Sequence, residues 1–160
     1  MEDIWNITAL VVSVLSVLLS LYALRQATTK NTSDMYLFFI SQYAKEDMKL
    51  ALRKLKDIKR GVYRLEQWES DMKNNLPKAF EYDEARRLVK YFYDTLAYMK
   101  LEKLIEARFV RLICLKKGAW LYLDTVEAME QFFDSGYDKK PYAVIRDVCE
   151  NLRKEGCCPP

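Results

Sequence analysis

Apolar and polar positions alternate along this chain in two regimes. From Ile4 to Leu24 no residue is charged, and the strongly apolar part, Ile7 to Leu24, would span roughly 27 Å as a helix, enough to cross a hydrocarbon core. Trp5 and Tyr22 fall near its two ends, where amphipathic rings favour the headgroup level. From Met35 onward the apolar residues instead recur at spacings of three and four, the period of helices that bury one face. Tyr36, Phe39, Ile40 and Tyr43, then Met48, Leu52, Leu55, Ile58, Val62 and Leu65, predict one long helix or two joined near Gly61, with Trp68 and Met72 as an extension.

Asn74-Asn75-Leu76-Pro77 interrupts this pattern. A second helix is expected to start with Asp83 as N-cap. It shows Leu88, Val89, Phe92, Leu96 and Met99 on one face, widened by Tyr91, Tyr93 and Tyr98, an aromatic load that suits the central, most buried helix. A third runs from about Leu104 to Lys117, with Lys116, Lys117 and Gly118 as its C-terminal signal. Trp120 to Leu123 could pass for a strand, but one such run has no pairing partner, so it reads as connector or helix. Asp124 and Glu127 have capping-box spacing and open a short helix through Phe133. Pro141 and Gly156 delimit the last helix, with Ile145, Val148, Cys149 and Leu152 facing inward.

The fold expected is therefore all-α, with one N-terminal transmembrane helix and a cytoplasmic bundle of about four to six helices. Residues 1–25 form the anchor, 26–34 a tether, 35–156 the helical domain and 157–160 a tail. The orientation follows from charge: no Lys or Arg precedes the apolar run, whereas Arg25 and Lys30 follow at once and more lie just beyond. This places the bundle inside a single-pass inner (cytoplasmic) membrane protein. A cleaved signal peptide fits less well, because the residues before the run are Glu2 and Asp3 and no small-x-small site follows it.

Composition narrows the chemistry. Hydrophobic residues make up 51% and charged residues 31%, with 4 Gly and 4 Pro, which excludes disorder and disfavours a turn-rich β fold. Histidine is absent, removing the usual base near neutral pH, the Ser-His and Cys-His pairs and the commonest transition-metal ligand. The four cysteines show no Cys-x-x-Cys spacing; Cys114 and Cys149 lie on apolar helical faces and read as small buried hydrophobes. No Gly-rich phosphate loop, metalloprotease helix motif, EF-hand loop or nucleophile elbow occurs. No cofactor or catalytic residue is assigned, and a net charge of +3 does not imply nucleic-acid binding.

Three surfaces stand out. Ala9, Ser13, Ser16, Ser20, Ala23 and Ala27 form one small-residue seam along the anchor, the kind of face that lets helices pair in lipid, so a homo-oligomer is expected; the plain alternative is that each Ser bonds its own preceding carbonyl. Between Lys45 and Arg64 eight Lys or Arg stand against three acids, and Lys49, Arg53, Lys56 and Arg60 line one flank. Near an anionic leaflet each such cation gains about 1 kcal/mol, while the plain alternative is a solvated face. Arg86 and Arg87 would stand in the first turn of the second helix, against its dipole, which points either to pairing with an acid such as Asp83 or Glu84 or to anion binding.

Tyr43-Ala44-Lys45-Glu46-Asp47-Met48 leading to Ala51-Leu52 and Leu55, Ala85-Arg86-Arg87-Leu88-Val89 with Tyr91-Phe92, and Leu104-Ile105-Glu106 resemble a family of short bacterial membrane-anchored helical proteins of unknown function. Where those proteins tend to carry Gly before the last piece, this chain has Lys103. The resemblance implies one N-terminal span, a helical cytoplasmic region and no established activity. The function expected is an interaction or scaffold module with the lipid bilayer, a second copy and an unidentified protein as partners. The alternatives are a membrane-bound enzyme or nucleotide- or anion-dependent effector built on Arg86, Arg87, Asp83, Glu84 and Asp94, and an anionic-lipid-binding protein.

Overall fold

A computed structural model describes residues 16–23, 26, 33–134 and 136–157. The chain divides into two compact units, residues 1–37 and 38–160, and the described residues contain helices and no strand. In the first unit, residues 16–23 and 33–37 are helical, and the side chains of 16–23 are exposed. No helix among the described residues is long and apolar enough to cross a membrane. Most of the expected anchor and tether, and tail residues 158–160, lie outside the described residues.

In the second unit, helical residues 38–44 lead into α1 (Glu46–Lys59), α2 (Leu65–Lys73), α3 (Pro77–Leu101), α4 (Ala107–Cys114) and α5 (Lys117–Leu121). A π-helical turn (Tyr122–Val126), α6 (Glu127–Phe133) and α7 (Lys140–Lys154) complete it. Besides the lead-in, the described residues of this unit hold seven α-helices, more than the four to six expected: Trp68 belongs to a separate α2, and the run from Trp120 to Leu123, expected as connector or helix, falls in α5 and the π turn.

The longest, α3, is the hub, packing against α1, α2, α4, α7 and the π turn. It starts at Pro77, whose missing N–H costs nothing at a first turn, rather than at an Asp83 cap. Asp83 is two turns inside and 1% exposed. Its core stripe is Val89, Phe92, Tyr93 and Leu96, and full burial of Val, Phe or Leu contributes roughly 1.5–3 kcal/mol each. Trp68 of α2 is fully buried, donates Nε1–H to the Ala79 carbonyl at 3.2 Å and meets the Phe132 ring edge-on at 5.4 Å.

Four helices end in one way. After α1, α2, α3 and α7 the chain takes a positive φ at Gly61, Asn75, Lys103 and Gly156, and the next residue's N–H returns to a carbonyl in the last turn, the Schellman arrangement. Gly is the residue this conformation favours. Lys103 adopts it at φ 56° without glycine's freedom.

Gly118 has a different role from the expected stop signal. It is buried inside α5, and a Cβ there would come within 2.7 Å of the Tyr93 hydroxyl and 3.0 Å of the Tyr43 hydroxyl. Its N–H donates to Tyr43 Oη at 3.2 Å. The absent side chain is what lets α5 close on those rings.

Candidate functional site

The helical lead-in and α1 are separated by Lys45, whose backbone is extended (φ −61°, ψ 148°). Before this break Phe39 packs edge-on against Phe92 at 5.3 Å, and Tyr43 lies 5.8 Å from the same ring. After it, α1 buries Met48, Ala51, Leu55 and Ile58. The change of direction leaves a groove of about 380 Å³ at the junction with α3. Phe38, Phe39, Met48, Leu88, Tyr91 and Phe92 give it apolar and aromatic walls, and Gln42, Lys45, Asp47 and Thr95 are its polar members.

The groove's outer wall is open: Phe38 is 54% exposed, Leu88 38% and Tyr91 74%. Leu88 and Tyr91 were expected to face the core with Val89 and Phe92. Instead Leu88, Tyr91 and Thr95 form their own stripe at three-and-four spacing, beside the core stripe of α3. That offset is the signal that could have marked the groove.

Behind Lys45 the cationic flank continues along α1. Lys49 and Arg53 reach Glu46 at 3.4 and 3.9 Å, and such exposed pairs contribute little. Lys45, Lys56 and Arg60 have no charge partner among the described residues. Two other cations of this stretch make exposed contacts to neighbouring elements: Lys54 meets Glu81 of α3 at 2.9 Å and Lys59 meets Asp124 of the π turn at 2.5 Å.

Arg86 and Arg87 do not oppose a helix dipole, because α3 begins well before them. Both pair with Asp83: Arg86 Nε donates to one carboxylate oxygen at 2.8 Å and Arg87 Nε to the other at 2.7 Å. Arg86 is buried, forms a second ion pair with Glu130 and lies over the Phe133 ring at 4.8 Å. Arg87 remains exposed. The seam residues fall mostly outside the description: Ala9, Ser13 and Ala27 are not described, whereas Ser16, Ser20 and Ala23 are helical and exposed. Ser20 donates its hydroxyl to the Ser16 carbonyl at 2.8 Å, the intrahelical bond of the plain alternative.

A polar network runs beside the buried pair. Lys90 donates to Asp94 at 2.6 Å, and Asp94 accepts from the Tyr122 hydroxyl at 2.5 Å. The Tyr122 ring stacks on Tyr142 at 4.4 Å and on Tyr93 at 5.1 Å. Burial first, then the Asp94 carboxylate, pushes the Tyr122 hydroxyl far above its ordinary ionisation range. Burial also raises Tyr93 and Tyr142. These hydroxyls therefore stay protonated near neutral pH.

Cys114 on α4 and Cys149 on α7 are buried free thiols, and interaction with the Cys149 thiol, together with burial, raises Cys114. Among the described residues no cluster of His, Cys, Asp and Glu could hold a metal ion. No family model, curated protein or solved structure matches the chain.

Proposed function

We propose that the chain is a membrane-anchored interaction module: the apolar run from Ile4 to Leu24 spans the inner membrane, and the bundle, held at the cytoplasmic face, binds rather than catalyses. The observation that carries this reading is the open apolar groove at the start of the bundle, a short polar segment away in sequence from an uncharged apolar run. Exposed contiguous apolar surface is costly to a soluble domain unless it is covered in use. The ionisable groups inside the bundle support the same reading, since Arg86, Asp83, Glu130, Lys90 and Asp94 are engaged with one another. Self-association through the anchor belongs to the proposal, with small residues allowing close approach.

Alkaline extraction of membranes followed by crosslinking tests it. The full chain is expected to stay with the membrane pellet and to crosslink as an oligomer that Ser13→Leu, Ser16→Leu and Ser20→Leu together disperse. Release of the chain by alkali would overturn the anchor, and an unchanged oligomer in the triple variant would overturn the seam.

A further inference from the structure

We propose that the groove is a lipid-docking site: it takes an acyl chain of an anionic phospholipid from the leaflet that holds the anchor, with Lys45 and Lys49 at the headgroup. This rests on the membrane-anchored reading above and names the surface that the bundle uses first.

Three observations lead to it. Only residues 25–37 separate Leu24 from Phe38, a segment that reaches roughly 45 Å when fully extended and roughly 20 Å as helix. The groove contains Phe38, so in sequence it begins where the bundle begins, within that tether's reach of the apolar run. Second, its open wall is Phe38, Leu88 and Tyr91, apolar surface ending in an exposed phenol, and aromatic rings with one polar end favour the headgroup boundary.

Third, the groove's edge offers a cation to an anion. Lys45 at the groove has no charge partner among the described residues, and the cationic flank of α1 begins one turn further on at Lys49, which shares the exposed Glu46 carboxylate with Arg53. Asp47 also lines the groove and offsets Lys45 locally, so the attraction comes from Lys45 acting with the flank. A cavity of about 380 Å³ is at the small end of ligand sites, suited to one chain rather than to a folded partner.

The test places the full-length chain in bilayers doped with a phospholipid that carries a photoreactive diazirine on its acyl chain, in phosphatidylglycerol and phosphatidylcholine forms, and maps the adducts by peptide. Adducts are expected on the peptide carrying residues 4–24 and also on those carrying Phe38 and Leu88 to Tyr91. The groove adducts should favour phosphatidylglycerol, and Lys45→Gln should reduce that preference about fivefold, whereas Asp47→Asn should increase it. Leu88→Glu with Tyr91→Glu should remove the groove adducts and leave those on 4–24. If this pair lowers the helix content, Tyr91→Ser, at a position 74% exposed, serves instead. Adducts confined to 4–24, or groove adducts equal for both headgroups, would overturn the docking site while leaving the anchor standing. Absence of adducts from 4–24 would overturn the anchor, and the docking site with it.

Discussion

Arg86 on α3 and Glu130 on α6 form an ion pair inside the bundle, each side chain's residue only 8% exposed. Each also has a second partner: Asp83 for Arg86 at 2.8 Å, and Lys90 for Glu130 at 3.8 Å. The chain therefore balances these buried charges between α3 and α6.

Removing one member of this pair leaves a buried charge with reduced compensation. Glu130→Ala is expected to cost about 3 kcal/mol, at the low end for broken buried pairs because Asp83 still holds Arg86. Arg86→Met combined with Glu130→Leu should cost clearly less than the two single changes added together. Urea unfolding followed by circular dichroism checks both. Strict additivity would mean that the two side chains do not act as a pair.

Gly118→Ala runs against helix propensity. Replacing Gly by Ala inside a helix ordinarily stabilises by about 0.5–1 kcal/mol, but here the added methyl meets Tyr93 Oη at 2.7 Å. We expect a loss of about 1–3 kcal/mol, seen as a lower melting temperature. The Tyr93 hydroxyl has no hydrogen-bond partner among the described residues, so Tyr93→Phe alone should cost little and should relieve much of the Gly118→Ala penalty. An unrelieved penalty would place the clash elsewhere.

Lys103→Gly addresses the unusual helix end. A non-glycine residue in the left-handed region costs roughly 1–2 kcal/mol, partly offset by the entropy glycine loses on folding. The substitution should therefore stabilise by about 0.5–1 kcal/mol in the same unfolding assay. A destabilised variant would indicate that the Lys103 side chain contributes more than its backbone costs.

These expectations show what the sequence made legible. The helical class, the break before Pro77, the joint at Gly61 and the limits of α7 follow from periodicity and punctuation, because those signals act locally. The start of α3 was hidden because Pro77 serves equally as breaker and as first-turn residue, and because Asp83 followed by apolar residues mimics a cap. Its real partners, Arg86 and Arg87, lie within its own helix. The groove was not legible either: Leu88 and Tyr91 extend the apolar arc of α3 past the width that α1 covers, and only the bend at Lys45 decides which edge stays open. Gly118 reads as a helix end until Tyr43 and Tyr93 arrive from distant positions.

The Tyr98–Asp138 contact gives a pH signature. The Tyr98 hydroxyl donates to the Asp138 carboxylate, as does the Lys140 backbone N–H at 2.9 Å, and these bonds hold Asp138 below its ordinary value of 3.8. A carboxylate whose folded value is depressed stabilises the fold above its unfolded value, and that contribution is lost as pH falls through the folded one. An NMR titration should place the Asp138 midpoint below 3.8 and move it upward in Tyr98→Phe. No movement would show that the phenol does not reach the carboxylate in solution.

Protease digestion of oriented membrane vesicles tests the proposed N-terminal span and the bundle's place at the cytoplasmic face. With the chain in its native membrane, residues 38–160 should be cleaved in inside-out vesicles and protected in right-side-out ones. Cleavage in right-side-out vesicles alone would put the bundle on the other face, and an intact soluble chain recovered without membrane would rule out the span.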